Sequence, residues 1–197
     1  MTSPSDGQLM AQVCQQDQAA FNHLVRRHLA PLMGYANRLC GDASRAEDLV
    51  QETWLRVWLH ATQYRQDRGA FSTWLFTILQ RQFIDHQRKF GKETYGAERD
   101  LGHACKLPDE AAGPAQLLFQ AREQQAFKRA LATLPEHQRW ALLLSHQQGF
   151  SNVAGAQILG VSRRAFESLL ARGRRALRLE RFEATSGTKV QPRDGGT

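Results

Sequence analysis

Wherever apolar residues are periodic in this chain they recur at intervals of three and four, and no segment alternates apolar with polar positions long enough to predict a strand. The pattern predicts an all-α protein. Over residues 8–39 a stripe of Ala20/Phe21, Leu24/Val25, His28/Leu29, Leu32 and Tyr35/Ala36 predicts one or two helices, with a kink or break at Pro31. Gly41 and Asp42 punctuate. A helix over 44–62 is predicted to begin on Ser44, with Glu47 three residues on as a capping box, and another over 71–90 begins near Ser72 after the turn-like YRQDRG. Helices resume near Pro114, run to about Ala132, and continue over Glu136–Gln147 with Pro135 suited to the first turn.

Between 91 and 114 the periodicity stops, and Gly91, Gly96, Gly102, Pro108, Gly113 and Pro114 are scattered among charged residues. This predicts two small helical domains, 1–90 and 121–182, joined by an irregular linker over 91–120. The remainder, 183–197, is small and polar and predicts a disordered tail.

Residues 149–178, GFSNVAGAQILGVSRRAFESLLARGRRALR, carry the most specific local pattern. Ser151 suits an N-cap, Val153, Ala156 and Ile158/Leu159 follow at helical spacing, and Gly160 suits a left-handed helix end. Ser162 then caps a second helix. On it Phe166, Leu169, Leu170, Gly173 and Leu177 form one stripe, while Arg163, Arg164, Arg172, Arg174, Arg175, Arg178 and Arg181 fall mostly off it. This is the pattern of a helix-turn-helix reader of duplex DNA, in which arginine pairs with phosphates or with guanine O6 and N7. The plainer alternative is a solvated basic helix; the turn and the first helix favour DNA.

Charge sharpens that reading, since residues 123–182 hold 10 Lys/Arg against 4 Asp/Glu while residues 1–90 hold 10 against 8. A net charge of +7 implies a polyanionic partner, and without a long apolar run nucleic acid is favoured over a membrane. No signal peptide is visible, so a cytosolic, cytoplasmic location is expected. Cys14, Cys40 and Cys105 have no CxxC spacing and read as reduced thiols; His103 with Cys105 falls short of a zinc set, so neither metal nor cofactor is expected. No phosphate loop, metal-carboxylate cluster or nucleophile constellation suggests an enzyme.

Residues 46–89 carry two further signals. At 100° per residue, Val50, Trp54, Val57, Trp58 and Ala61 share a core-facing stripe, whereas Asp48, Glu52, Leu55 and Leu59, flanked by Gln51, lie well away from it. Leucines rimmed by carboxylates suit a protein partner, though a solvated acidic face gives the same pattern. Downstream, Tyr64, Arg65, Arg68, Phe71, Ser72, Thr73, Trp74, Phe76, Thr77, Arg81, Arg88 and Lys89 interleave rings, hydroxyls and cations, a composition suited to single-stranded nucleic acid. Phe71, Trp74 or Leu75, Ile78 and Phe83 are spaced for packing, so most of the large side chains belong to the core by default.

Four words, AEDLVQETWLRVW, FSTWLFTILQRQFIDHQRK, LPEHQRWALLL and ILGVSRRAFESLLARGRRALR, resemble in this order the extracytoplasmic-function (ECF) group of bacterial RNA polymerase sigma factors, over about residues 15–90 and 120–180. The resemblance implies a sigma region 2-like domain that clamps the β′ coiled coil of core polymerase and melts the minus 10 element. It implies a region 4-like domain that reads the minus 35 duplex and holds the β flap. Carried onto this chain, it places core binding on Asp48, Gln51, Glu52 and Leu55, and minus 10 contact on Tyr64, Arg65, Arg68, Ser72, Thr73, Thr77 and Arg81. Minus 35 contact falls on Ser151, Arg163, Arg164, Glu167, Ser168, Arg172 and Arg175. The linker is expected to thread toward the polymerase active centre and RNA exit channel, the free protein to be a monomer, and an anti-sigma factor to control it.

Two departures stand out. Glu167 and Leu169 flank Ser168 where the family commonly has positive charge, so Glu167 either accepts from cytosine N4 or repels phosphate. Gly155 stands where a larger apolar residue is usual, which implies either close packing or a looser helix. The competing function is a stand-alone dimeric helix-turn-helix regulator, which explains 149–178 but leaves DLVQE and the aromatic-basic segment idle.

Overall fold

Short capping residues set where each helix begins. In the computed structural model, which describes residues 4–90 and 130–186, Ser5 caps α1 (Asp6–Val13) in a capping box: its hydroxyl accepts from the Gln8 N–H at 3.3 Å and the Gln8 side chain accepts from the Ser5 N–H at 2.9 Å. The Asp17 carboxylate caps α2 (Gln18–Cys40), accepting from the Ala19 and Ala20 N–H groups. The break expected at Pro31 does not occur. Pro31 is exposed, and α2 runs unbroken through it; Leu24, Leu32, Tyr35 and Ala36 before and after it are buried, so packing on both sides of the proline offsets the missing hydrogen bond.

Gly41, at φ 65°, ends α2 in the left-handed region, and Asp42 caps α3 (Ala43–Leu59) by accepting from the Arg45 N–H at 3.0 Å. Asp42 therefore takes the role expected of Ser44, which falls inside the first turn. The extended Asp42 backbone directly after the glycine aims its carboxylate at the free N–H groups two residues earlier than expected. Two 3-10 turns, Ala61–Gln63 and Gln66–Arg68, lead into α4 (Phe71–Phe90).

In the second group residues 130–132 are helical, Pro135 precedes α5 (Glu136–Leu142), and the chain then widens into a π turn over Leu143–Gln147 where an unbroken α-helix was expected. Ser151 caps α6 (Asn152–Leu159), Gly160 closes it at φ 65°, and Ser162 accepts from the Ala165 N–H to open α7 (Arg163–Ser186). Helix α7 reaches Ser186, four residues into the segment expected to be disordered. The expected linker, its His103 and Cys105, and the rest of the tail lie outside the described residues. Among the described residues there is no strand.

Helix α4 is the hub. Its neighbours are α2 and α3 on one side and α6 on the other, so Phe71, Thr73, Leu75, Phe76, Thr77, Leu79, Gln80, Gln82 and Phe83 are all buried, a wider face than one amphipathic stripe. The buried polar side chains fix its register: the Tyr35 hydroxyl donates to Gln80 Oε1 and the Thr53 hydroxyl to Gln82 Oε1, each at 2.7 Å. Toward the second group, Phe76 meets Phe150 and Phe83 meets Trp140 edge-on, with ring centroids 4.9 and 5.9 Å apart. The Gln87 side-chain amide also donates to Glu136 at 3.4 Å. One hydrophobic core thus runs through both groups of helices.

Close packing explains Gly155. A Cβ built there would stand 2.7 and 2.8 Å from two Phe166 ring carbons and closer still to Cζ, so the ring of α7 occupies the space a side chain on α6 would need.

Candidate polymerase and nucleic-acid interfaces

Asp48, Gln51 and Leu55 are exposed along α3, and Glu52 beside them is partly exposed, while Val50, Trp54, Val57 and Ala61 are buried and Trp58 half-buried. Leu55 is 56 % exposed and Leu59 63 %, values that mark them as unpartnered apolar surface on a helix otherwise sorted by burial. The Glu52 carboxylate lies 3.0 Å from His86 Nε2 of α4 and pairs with Arg56 at 3.4 Å, which fixes it beside Leu55. The four candidate core-binding residues therefore share one patch.

The turns between α3 and α4 form a concavity of about 350 Å³. Tyr64, Arg65, Arg68, Thr77 and Arg81 line it, as does Trp74, and Arg56, His60 and Gln63 from the end of α3 and the first 3-10 turn complete its wall. Four arginines around two rings give a basic slot able to stack a base and hold phosphates. The Tyr64 ring is held by Phe71 and Trp74 at centroid distances of 5.8 and 5.5 Å, and partial burial, with Asp6 nearby, raises its hydroxyl above the ordinary tyrosine range. Arg65 hydrogen-bonds Asp67, holding that carboxyl below the usual range.

Two of the candidate minus 10 residues are placed differently. Ser72 is half-buried outside the lining, and Thr73 is 5 % exposed, with its carbonyl accepting from the Thr77 hydroxyl. The residues reach into the core because α4 is packed on two sides, which its sequence period does not reveal. Thr77 itself is 9 % exposed and reaches the slot only with its edge. The sequence reading missed Arg56, His60 and Gln63, and also Gln157 of α6, which lines the same slot from the other helical group. Arg56 was legible as the residue four after Glu52; nothing in the sequence placed Gln157 there.

On α7, Arg163, Arg164, Ser168, Arg172 and Arg175 are exposed, and the stripe expected to be buried is so: Phe166, Leu170 and Gly173 fully, Leu169 and Leu177 in part. Glu167 is not a free carboxylate. Its Oε1 accepts from Arg163 Nε at 2.8 Å and from the Asn152 side-chain amide at 3.3 Å, and these bonds, Arg163 first, lower its pKa. Arg172 donates to the Ser168 hydroxyl at 3.0 Å, and Ser151 spends its hydroxyl on capping α6.

An all-helical protein with an acidic-apolar patch, a basic aromatic slot and an arginine-faced helix-turn-helix is a DNA-binding protein with a protein partner. Family models agree on which kind: Sigma-70 region 2 matches residues 24–93 and Sigma-70 region 4 matches residues 124–177. The chain is 33% identical over 163 residues to the ECF RNA polymerase sigma factor SigL of Mycobacterium tuberculosis, covering 82% of this chain and 88% of the relative. It is 36% identical over 146 residues to EcfG of Rhodopseudomonas palustris, covering 74% and 76%. Among solved structures, CnrH in complex with the cytosolic domain of CnrY superposes with a TM-score of 0.65 at 25% identity over 92% of this chain and 97% of that one. The sigma factor RpoE in complex with the anti-sigma factor NepR from Bartonella quintana gives 0.64 at 27% over 82% and 96%. The chain belongs to the ECF group of RNA polymerase sigma factors.

Proposed function

We propose that this sigma factor acts purely by binding, in the cytoplasm, through the three surfaces just described. The α3 patch of Asp48, Gln51, Glu52 and Leu55 clamps the β′ coiled coil of core polymerase. The slot of Tyr64, Arg65, Arg68, Trp74, Thr77 and Arg81 captures the melted minus 10 strand, and the exposed arginines of α7 grip the minus 35 duplex. Opening a base costs a few kcal/mol, and stacking on an aromatic wall returns about 1–3 kcal/mol per base, so a slot next to the clamp can drive melting without chemistry. Arginine contacts to phosphates release counterions, so promoter affinity falls steeply with salt.

The observation that carries this reading is the joint exposure of the acidic-apolar α3 patch and the basic slot on one helical group, which a stand-alone regulator has no use for. The docking of the two groups adds a step. Elements at minus 10 and minus 35 stand about 25 base pairs, or roughly 85 Å, apart at about 3.4 Å per pair. Here Gln157 of the helix-turn-helix lines the minus 10 slot, so the groups must separate before both elements are held. Core polymerase, pulling on both groups, would supply that separation, and an anti-sigma factor like the one bound to RpoE would oppose it. Transcription with purified core polymerase on a promoter library tests the reading: defined start sites with two upstream elements are expected, and no start site overturns it.

A further inference from the structure

The Asn152–Glu167–Arg163 cluster is unlike the rest of the arginine face. It joins the first residue of α6 to the first and fifth residues of α7, so it crosses the turn between the two helices. Arg163 gives Glu167 its Nε–H, at 2.8 Å, which ties down the side edge of the guanidinium. Its terminal Nη1 and Nη2 are the forked edge that Glu167 does not take, on a side chain 68 % exposed. Such a fork matches guanine O6 and N7 in the major groove. Free arginine loses rotamer freedom on docking, and a carboxylate already holding it removes part of that cost.

We propose that Glu167 is a positioning residue that, braced by Asn152, presents Arg163 as a fixed reader of one guanine in the upstream promoter element. Glu167 then neither reads cytosine nor merely repels phosphate. Its negative charge lowers general duplex affinity while sharpening one position, an exchange of affinity for selectivity. Arg164, Arg172, Arg174 and Arg175 keep the phosphate grip. The inference rests on the assignment of α7 to the minus 35 duplex.

The test is base-preference profiling with the full chain and core polymerase on promoters randomised across the upstream element, for wild type, Arg163→Lys, Arg163→Ala, Glu167→Gln and Asn152→Ala. Wild type is expected to prefer guanine at one position by about tenfold or more. Arg163→Ala flattens that position, and Arg163→Lys flattens it as well although the charge is kept, because the fork is lost. Glu167→Gln and Asn152→Ala each weaken the same position, by about threefold, leave the other positions unchanged, and Glu167→Gln raises non-specific duplex binding. A change from Glu167→Gln at a different position means that Glu167 reads a base itself and overturns the proposal. Tighter binding with every position unchanged means that it only repels phosphate, and overturns it too. Loss of all start sites in wild type would instead overturn the sigma assignment of α7. Arg163 is exposed and Asn152 and Glu167 are partly exposed, and unchanged thermal midpoints show that a flattened position reports recognition and not folding.

Discussion

Gly155→Ala separates two opposed energies at one position. Alanine is favoured over glycine in a helix interior by about 1 kcal/mol, so propensity alone predicts a more stable α6. The structure predicts the reverse. The new Cβ would sit 2.7 and 2.8 Å from Phe166 ring carbons, inside any tolerated contact, and Phe166 is 0 % exposed, so the ring has no solvent to swing into. Overpacking of this kind costs about 1–3 kcal/mol, and after the propensity gain of about 1 kcal/mol the variant should show a net loss of up to about 2 kcal/mol. Urea unfolding of the full chain followed by far-ultraviolet circular dichroism would read this as a lower midpoint with an unchanged slope. In the double variant Gly155→Ala/Phe166→Leu, the smaller side chain makes room for the methyl, so the combined loss should be smaller than the sum of the two single losses by about 1 kcal/mol or more. A Gly155→Ala protein more stable by about 1 kcal/mol, additive with Phe166→Leu, would refute the reasoning and mean that the α6–α7 contact is looser than described.

Charge reversal at Asp48 and Glu52, both to Lys, should weaken core polymerase binding about tenfold or more while duplex binding by the arginine face stays unchanged, read by competition for labelled core; equal loss of both would reject the α3 assignment. Thr53→Val removes the donor to buried Gln82 Oε1 and should cost about 1–3 kcal/mol in the same urea assay, with a neutral result showing that the amide finds another partner. Phe150→Ala removes the ring that meets Phe76 between the two helical groups. It should raise the radius of gyration in small-angle scattering and speed association with core, whereas an unchanged radius would show that the remaining contacts hold the groups together.

The helices, and the faces of most of them, were legible in the sequence because burial against a single neighbour leaves a period of three and four. Ser151, Gly160 and Ser162 were legible for a different reason: caps and left-handed turns are decided by local chemistry, and the observed φ of 65° at Gly160 needs nothing distant. Local reading missed where a second candidate competed, as when Asp42, two residues earlier, displaced Ser44 as the cap of α3. It missed more seriously on α4, where helices on two sides bury Thr73 and nearly all of Thr77, erasing the polar face that their sequence suggested.

By itself, then, the sequence determined an all-helical chain, the arginine-faced helix-turn-helix, the acidic patch on α3 and the sigma-like order of its motifs, since each depends on residues close together along the chain. Only the tertiary structure decided that Phe166 fills the place of a side chain at Gly155, that Gln157 enters the basic slot between α3 and α4, and that Asn152 of α6 joins the Glu167–Arg163 pair of α7 across the turn. These are contacts between different helices. Their geometry is set by how the helices pack, and periodicity, which reports only that a face is covered, carries no record of what covers it.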